Sequence, residues 1–278
     1  MFHNRDLLIV GKHGKEQVIA PVLGPPFSLT IHTTTAIDTD ALGTFSGEIP
    51  RLLSPVEALR KKCDLGWEHM GIDLVLASEG SFGPHPSLAF MPMDEEWMLL
   101  KDYRHGFELL HRYHSLDTNF ERLVLERLDQ VPEFLERVGF PEHGLILMEP
   151  GVFQASPWKD LRDQKALMEV LEQVLARQGS AILETDMRAM RNPKRMRVIE
   201  ALAKQLLNLM QSPCPQCQKP GFGRKERIPG LPCEQCGQAT QGTLKYRWAC
   251  PHCACTQEEI FPDKKEKEAA QFCDICNP

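Results

Sequence analysis

The chain has 278 residues, of which 42% are hydrophobic and 25% charged, and carries a formal net charge of −6. This composition suits a soluble globular protein with one ordinary domain and a small appendage, and it excludes a disordered chain. No apolar run approaches the ~20 residues of a membrane span, and residues 1–211 (23 Lys/Arg, 30 Asp/Glu) and 212–278 (nine and eight) both lack the basic surplus of a generic nucleic-acid binder.

In chain order, Asp6–Val10 is a short apolar strand followed by Gly11-Lys12-His13-Gly14-Lys15 and a helix. The start is charged too early for a signal peptide. The loop lacks the glycine spacing and the Lys-Ser/Thr ending of a P-loop. It lies where open α/β sheets place ligand groups, so Lys12 and Lys15 are candidate phosphate contacts as well as solvated turn residues. Phe27–Thr35 alternates and is β-branched, which predicts a second strand. In the polar segment DTDALGTFSGEIPR, Asp38, Asp40 and Glu48 are oxygen ligands suited to Mg²⁺, or ordinary turn residues. Ser54, Pro55 and Glu57 form a capping-box sequence that opens a helix. Cys63 in that helix reads as a small buried residue.

Asp73–Ala77 is a central apolar strand, and Ser78–Pro86 is expected to be a close-approach loop at its end. Glu79 there is the leading candidate for a metal-binding or basic carboxylate. Glu96–Lys101 and Phe107–His111 predict a hairpin. A helix is expected over Leu125–Val138, interrupted near Pro132 and ended by Gly139. A strand is expected at Gly144–Met148 and a long amphipathic helix over Lys159–Gln178. Ala181–Leu183 is a further strand, from whose end Glu184, Asp186, Arg188 and Arg191 emerge before a helix capped by Asn192 and opened by Pro193. Basic residues beside a helix N-terminus suit a bound anion. Pairing with Glu184 and Asp186 is the plainer account.

Four Cys-x-x-Cys pairs close the chain: Cys214/Cys217, Cys233/Cys236, Cys250/Cys253 and Cys273/Cys276, separated by 15, 13 and 19 residues. Eight thiolates suit two tetrahedral structural zinc sites. With no secretory signal, free thiols point to a reducing compartment, and the cytoplasm is the expected address. Two zinc tetrathiolates would take the tail from +1 to about −3. The strand-like LKYRWA segment favours joining 233/236 to 250/253 and 214/217 to 273/276, with the other pairings open. Cys255 is a substitute ligand in reserve. A domain this small needs its metal in order to fold.

The expected fold is therefore α/β: a mixed sheet covered by helices over residues 1–211, then a small zinc-ribbon-type domain with two zinc sites over residues 212–278. The segments HGKEQVIAP, DTDALGTFSGEIPR, ASEGSFGPHP, ETDMRAMRNPKRM and the terminal CDICNP resemble those of a family of uncharacterised bacterial proteins over nearly the full length. In order of elements, residues 1–211 also resemble the pyrophosphatases that hydrolyse inosine and xanthosine triphosphates, with Lys12-His13 in place of that family's Thr/Ser-Asn opening. Acids suited to Mg²⁺ beside Lys and Arg suited to phosphate, together with that resemblance, imply a Mg²⁺-dependent hydrolase of nucleotides or related phosphate compounds. Glu79, Glu184 and Asp186 would hold metal or activate water, and Lys12, Lys15, Arg188 and Arg191 would hold phosphate. The alternative is a non-catalytic adaptor, whose zinc tail contacts a protein or nucleic acid while the α/β domain senses a small anion. The hydrolase reading needs the three polar strand ends to share one crevice.

Overall fold

The computed structural model describes residues 1–34, 36–37, 52–151 and 157–278. The chain is mixed α/β and forms two compact units, Met1–Leu206 and Leu207–Pro278. The acidic segment with Asp38, Asp40 and Glu48 lies outside the described residues. Among the described residues, no helix is long and apolar enough to cross a membrane.

The first unit opens with β1 (Asp6–Val10), α1 (Glu16–Leu23), β2 (Thr30–Thr34), α2 (Pro55–Met70), β3 (Leu74–His85), β4 (Leu88–Asp102) and β5 (Phe107–Ser115). These strands form one sheet in the order β2-β1-β3-β4-β5. β1 runs parallel to β2 and β3, and β4 turns back antiparallel between β3 and β5. The capping box is realised at α2: the Glu57 N–H donates to Ser54 Oγ (3.3 Å), and the Ser54 N–H donates to Glu57 Oε2 (2.9 Å). A cap of this kind is worth ~1 kcal/mol. Gly66 lets α2 approach the sheet closely, since a Cβ there would stand 2.5 Å from Val10 Cγ2. Leu59 and Cys63 then pack on Leu8, Val10, Val75, Ala77 and Leu99. Burial pushes the Cys63 thiol up to about 12, so it is an inert core residue, as expected.

Ser78–Pro86 departs from the expected loop. β1 ends at Val10, opposite Ala77, but β3 continues to His85, paired with β4. The small residues that suggested a loop serve an extended ribbon instead. On its face, Ser78, Gly80 and Phe82 stand beside Met98, Glu96 and Asp94 in register.

The second sheet of this unit contains β6 (Arg122–Leu125), β7 (Leu145–Met148), β8 (Trp158–Leu161) and β9 (Ala181–Thr185), in the order β6-β9-β7-β8. Every pairing in it is antiparallel. The helices α3 (Val131–Val138) and α4 (Gln164–Gln178) cover one face, where Phe134, Leu135, Leu171 and Val174 meet Leu145, Leu147 and Leu183. Each such side chain contributes about 1.5–3 kcal/mol when fully buried.

Two expected boundaries move. Pro132 opens α3 instead of interrupting a longer helix, because a missing N–H is tolerated in the first turn. Residues 158–161 are strand, and α4 begins only after Asp163, whose Oδ1 accepts the Ala166 N–H at 2.8 Å. α5 (Pro193–Met210) follows β9, with the Asn192 Oδ1 accepting the Arg195 N–H at 2.9 Å.

The second unit is built on an antiparallel sheet of β10 (Gly223–Pro229), β11 (Thr243–Ala249) and β12 (Thr256–Ile260). Arg224 lies over the rings of Tyr246 and Trp248 on this sheet and pairs with Glu259.

Candidate functional site

The cysteines of the second unit gather into two groups, Cys214/Cys217/Cys250/Cys253 and Cys233/Cys236/Cys273/Cys276. This corrects the favoured pairing of 233/236 with 250/253. The sheet decides the matter. Gly223 of β10 lies opposite Ala249 of β11, so the knuckle before β10 meets the knuckle after β11. The other end of the sheet brings Cys233 beside Glu268, on the segment leading to Cys273.

Four thiolates bound at about 2.3 Å around one zinc ion stand about 3.8 Å apart. The Sγ separations fit: 3.7 Å for Cys214–Cys253, 3.6 Å for Cys217–Cys250, 3.9 Å for Cys233–Cys276 and 3.6 Å for Cys236–Cys273. Each group can therefore hold one zinc ion. Knuckle backbone supports the anionic form. Burial opposes ionisation of Cys214, yet N–H groups of Cys217 and Gln216 bring its thiol down to about 6. N–H groups of Cys236 and Gln235 bring Cys233 down to about 7. Cys255 packs against the first group without completing it.

In the first unit a second cluster forms where β1 ends and β3 continues. His13 and Gly14 both adopt left-handed backbone (φ 75° and 73°), which turns the chain sharply and delivers Lys15 at the start of α1. The Lys15 ammonium donates to Ser78 Oγ at 3.1 Å and lies 4.0 Å from Glu96 Oε2. Arg195, in the first turn of α5, donates from Nε to Glu96 Oε1 at 2.5 Å and from Nη1 to the Met187 carbonyl. Its guanidinium also lies 5.1 Å from the centre of the Phe82 ring. Glu79 points to the other face of β3 and pairs with Lys62 of α2 at 2.5 Å. Arg195 and Asp94 are each 1% exposed, and Glu96 is fully buried.

Charge this deep perturbs its own ionisation. Burial, with help from Arg195 and Lys62, pulls the Lys15 ammonium down to about 8 against the opposing pull of Glu96 and Glu79. Burial and the neighbouring Glu96 push the Asp94 carboxyl up to about 8, with Arg195 and Lys15 opposing. Such perturbations gather at functional sites, although structural ion pairs also produce them.

Parts of the three polar stretches approach one another, although Ser78–Pro86 is ribbon and not a strand end. Lys15 meets Ser78, and a Cβ on Gly14 would lie 3.8 Å from Met190 Cβ, on the connection between β9 and α5. Of the expected set, Lys15 belongs to the cluster, Lys12 lies on the same loop as Lys15, and Glu79 lies across β3 with Lys62.

The remaining expected residues form pairs of their own. Asp186 is buried and holds Arg188 (Nη2 to Oδ2 2.6 Å), whose guanidinium stays charged more firmly through that bond. Asp160 takes Arg188 at 3.0 Å and also Arg191, closing a neutral network of two acids and two arginines. Glu184 stands across from Arg122 in register, at 3.3 Å, with its carboxyl raised by burial. These contacts are those of the plainer, paired account.

Asp94, Glu96, Lys62 and Arg195 were not among the expected site residues. One sign of them was present. Arg195 falls on the helix stripe of Ile199, Leu202 and Leu206, so a cation stood among core positions. Beyond the cluster, the same ribbon face leads from Asp94 and Phe82 to Pro92 and Pro84. There a cleft of about 580 Å³ opens, lined also by Phe90, Phe120 and Lys194.

Residues 62–278 match the model of a family described as a domain of unknown function, DUF6671, and the chain belongs to that family. The matched span includes Lys62, Glu79, Asp94, Glu96, Arg195 and all eight grouped cysteines, whereas Lys15 precedes it. No curated protein and no solved structure matches the chain, so the likeness to the inosine and xanthosine triphosphate pyrophosphatases finds no support there.

Proposed function

We propose that the first unit is a hydrolase of nucleotides or related phosphate compounds and that the second is a zinc-stabilised appendage. The observation that carries this reading is the gathering of two buried cations, Lys15 and Arg195, around Glu96 and beside Asp94, next to the end of β1, with the buried Lys62–Glu79 pair on the opposite face of β3. Cations at such an edge suit a phosphate group, and the adjoining cleft has room for the rest of a small molecule. Lys15 and Arg195 would orient the anion, while Glu96 fixes both of them. Glu79 would hold Lys62 in place on the other face of β3. Magnesium would supply neutralisation of the phosphate charge to this chemistry.

The test is direct. Zinc-loaded protein is incubated with Mg²⁺ and a panel of nucleoside triphosphates, including the inosine and xanthosine forms, and released phosphate and pyrophosphate are measured. Turnover that Glu96→Gln abolishes supports the reading; absence of turnover across the panel ends it.

A non-catalytic adaptor is the second reading. It is favoured by Phe272 and Ile275, exposed by 61% and 65% around the knuckle of Cys273 and Cys276, which suit a protein partner. Phosphate compounds that raise the melting temperature without being consumed would favour it.

A further inference from the structure

Asp94 is anomalous. It is 1% exposed, yet among the described residues neither carboxylate oxygen has a hydrogen-bond partner. Two positions along the same face of β4, Glu96 is fully buried, with Oε1 held by Arg195 and Oε2 without a hydrogen bond among the described residues. The nearest cation to that Oε2 among the described ion pairs is the Lys15 ammonium at 4.0 Å, too far for a hydrogen bond. Three carboxylate oxygens are therefore buried and unfilled on one strand face. Native interiors rarely leave such groups unfilled, and an unrecorded ion is one of the standard explanations.

The donor set narrows the occupant. Carboxylate oxygens with no thiolate or imidazole among them suit hard divalent cations. Magnesium characteristically takes one or two protein carboxylates and completes its shell with water and substrate phosphate. Cβ atoms two residues apart on a strand face are about 6.8 Å apart, a span that Asp and Glu side chains can close upon one ion.

Charge gives a second argument. Lys15 and Arg195 pair with Glu96, and even with Asp94 ionised, as metal binding requires, they match the two acids in charge, so a dication would leave the cluster with surplus positive charge. A phosphate-bearing ligand would remove that surplus. Metal and phosphate should then bind together more tightly than either alone.

We infer that Asp94 and Glu96 hold a hard divalent cation, distinct from the thiolate centres, whose coordination is completed by a phosphate-bearing ligand. The second half of this statement rests on the phosphate reading above; the first half does not.

The experiment uses full-length, zinc-loaded protein and Mn²⁺ as a paramagnetic probe, titrated with and without inorganic pyrophosphate and followed by electron paramagnetic resonance. One Mn²⁺ per chain is expected, bound at least tenfold more tightly with pyrophosphate. Asp94→Asn and Glu96→Gln should each weaken it at least tenfold, and Glu133→Gln, an exposed acid elsewhere, should not. No specific Mn²⁺ binding by the unaltered protein overturns the inference, as does full binding by folded Asp94→Asn and Glu96→Gln. Should those variants fail to fold, Mn²⁺ broadening of amide resonances decides: loss at Gly80 and Arg195 supports the site, and loss elsewhere overturns it. Mn²⁺ binding at this site without turnover of any phosphate compound would retain the cation site and remove the hydrolase. Binding without pyrophosphate enhancement would overturn the phosphate-completed coordination.

Discussion

Arg195 on α5 and Glu96 on β4 form a fully buried ion pair, Nε to Oε1 at 2.5 Å, between residues ninety-nine positions apart. The pair ties the first sheet to the start of the helix that follows the second sheet. Its guanidinium also caps the Phe82 ring and takes up the Met187 carbonyl. A buried pair of this kind contributes little net stability, but removing one partner strands the other charge.

Arg195→Met should therefore destabilise the first unit by ~3–5 kcal/mol, because it leaves Glu96 buried without its guanidinium. The double variant Glu96→Leu/Arg195→Met should recover much of that loss. Urea unfolding of zinc-loaded protein, followed by signals of the first unit, measures both. Equal stability of Arg195→Met and the unaltered protein would contradict the assigned pair.

Gly80 should tolerate no side chain. A Cβ there would overlap Arg195 Nη2 and Glu96 Oε1, whereas a Cβ at Gly83 on the same strand meets nothing within 4 Å. Gly80→Ala should cost ~1–3 kcal/mol as the ion pair shifts to make room. Gly83→Ala should be nearly neutral. Melting temperatures of the two variants, measured side by side, check the contrast.

Stability should fall as pH rises wherever Asp94 governs it. Its folded carboxyl titrates at about 8, far above the unfolded value of ~3.9. Between those values the folded chain keeps a proton that the unfolded chain has lost, so raising the pH favours unfolding. Glu96, Arg195 and Lys15 face the same carboxyl. Lys15 works in a different window. Its folded value of about 8 lies below the ordinary 10.5, so its penalty grows as pH falls from about 10.5 to about 8 and is constant below that. In zinc-loaded protein free of other divalent ions, the melting temperature should drop between pH ~5.5 and ~7.5. Asp94→Asn should flatten most of that slope, and an unchanged slope would refute the assignment.

Zinc should be present at two ions per chain. Cys214→Ser and Cys233→Ser should each remove one ion, because they belong to different groups. Cys255→Ser should keep both. Stripping the metal with a chelator should unfold the second unit, whose small sheet has little apolar core of its own. Metal analysis and circular dichroism read these outcomes, and joint loss of both ions in Cys214→Ser would contradict the interleaved pairing.

Local chemistry was legible without coordinates. Ser54, Pro55 and Glu57 specify a helix start, because a cap involves only residues within one turn. Eight cysteines in four close pairs announce thiolate metal centres, because ligand type and spacing are properties of the chain itself. Strand and helix periodicity likewise placed β1, β7 and β9 close to where they lie.

What joins with what was decided only in three dimensions. Antiparallel pairing of β10 with β11 brought Cys214 to Cys250, although other combinations had equally acceptable spacing. Register between β3 and β4 set Asp94 and Glu96 beside Phe82 and Gly80, and α5 then brought Arg195 over them. An acid in or beside a strand reads the same in sequence whether it meets a neighbouring arginine, as Asp186 does, or stays buried with no hydrogen bond among the described residues, as Asp94 does. Long-range register, and the burial it imposes, separates the two, and no local pattern of residues encodes it.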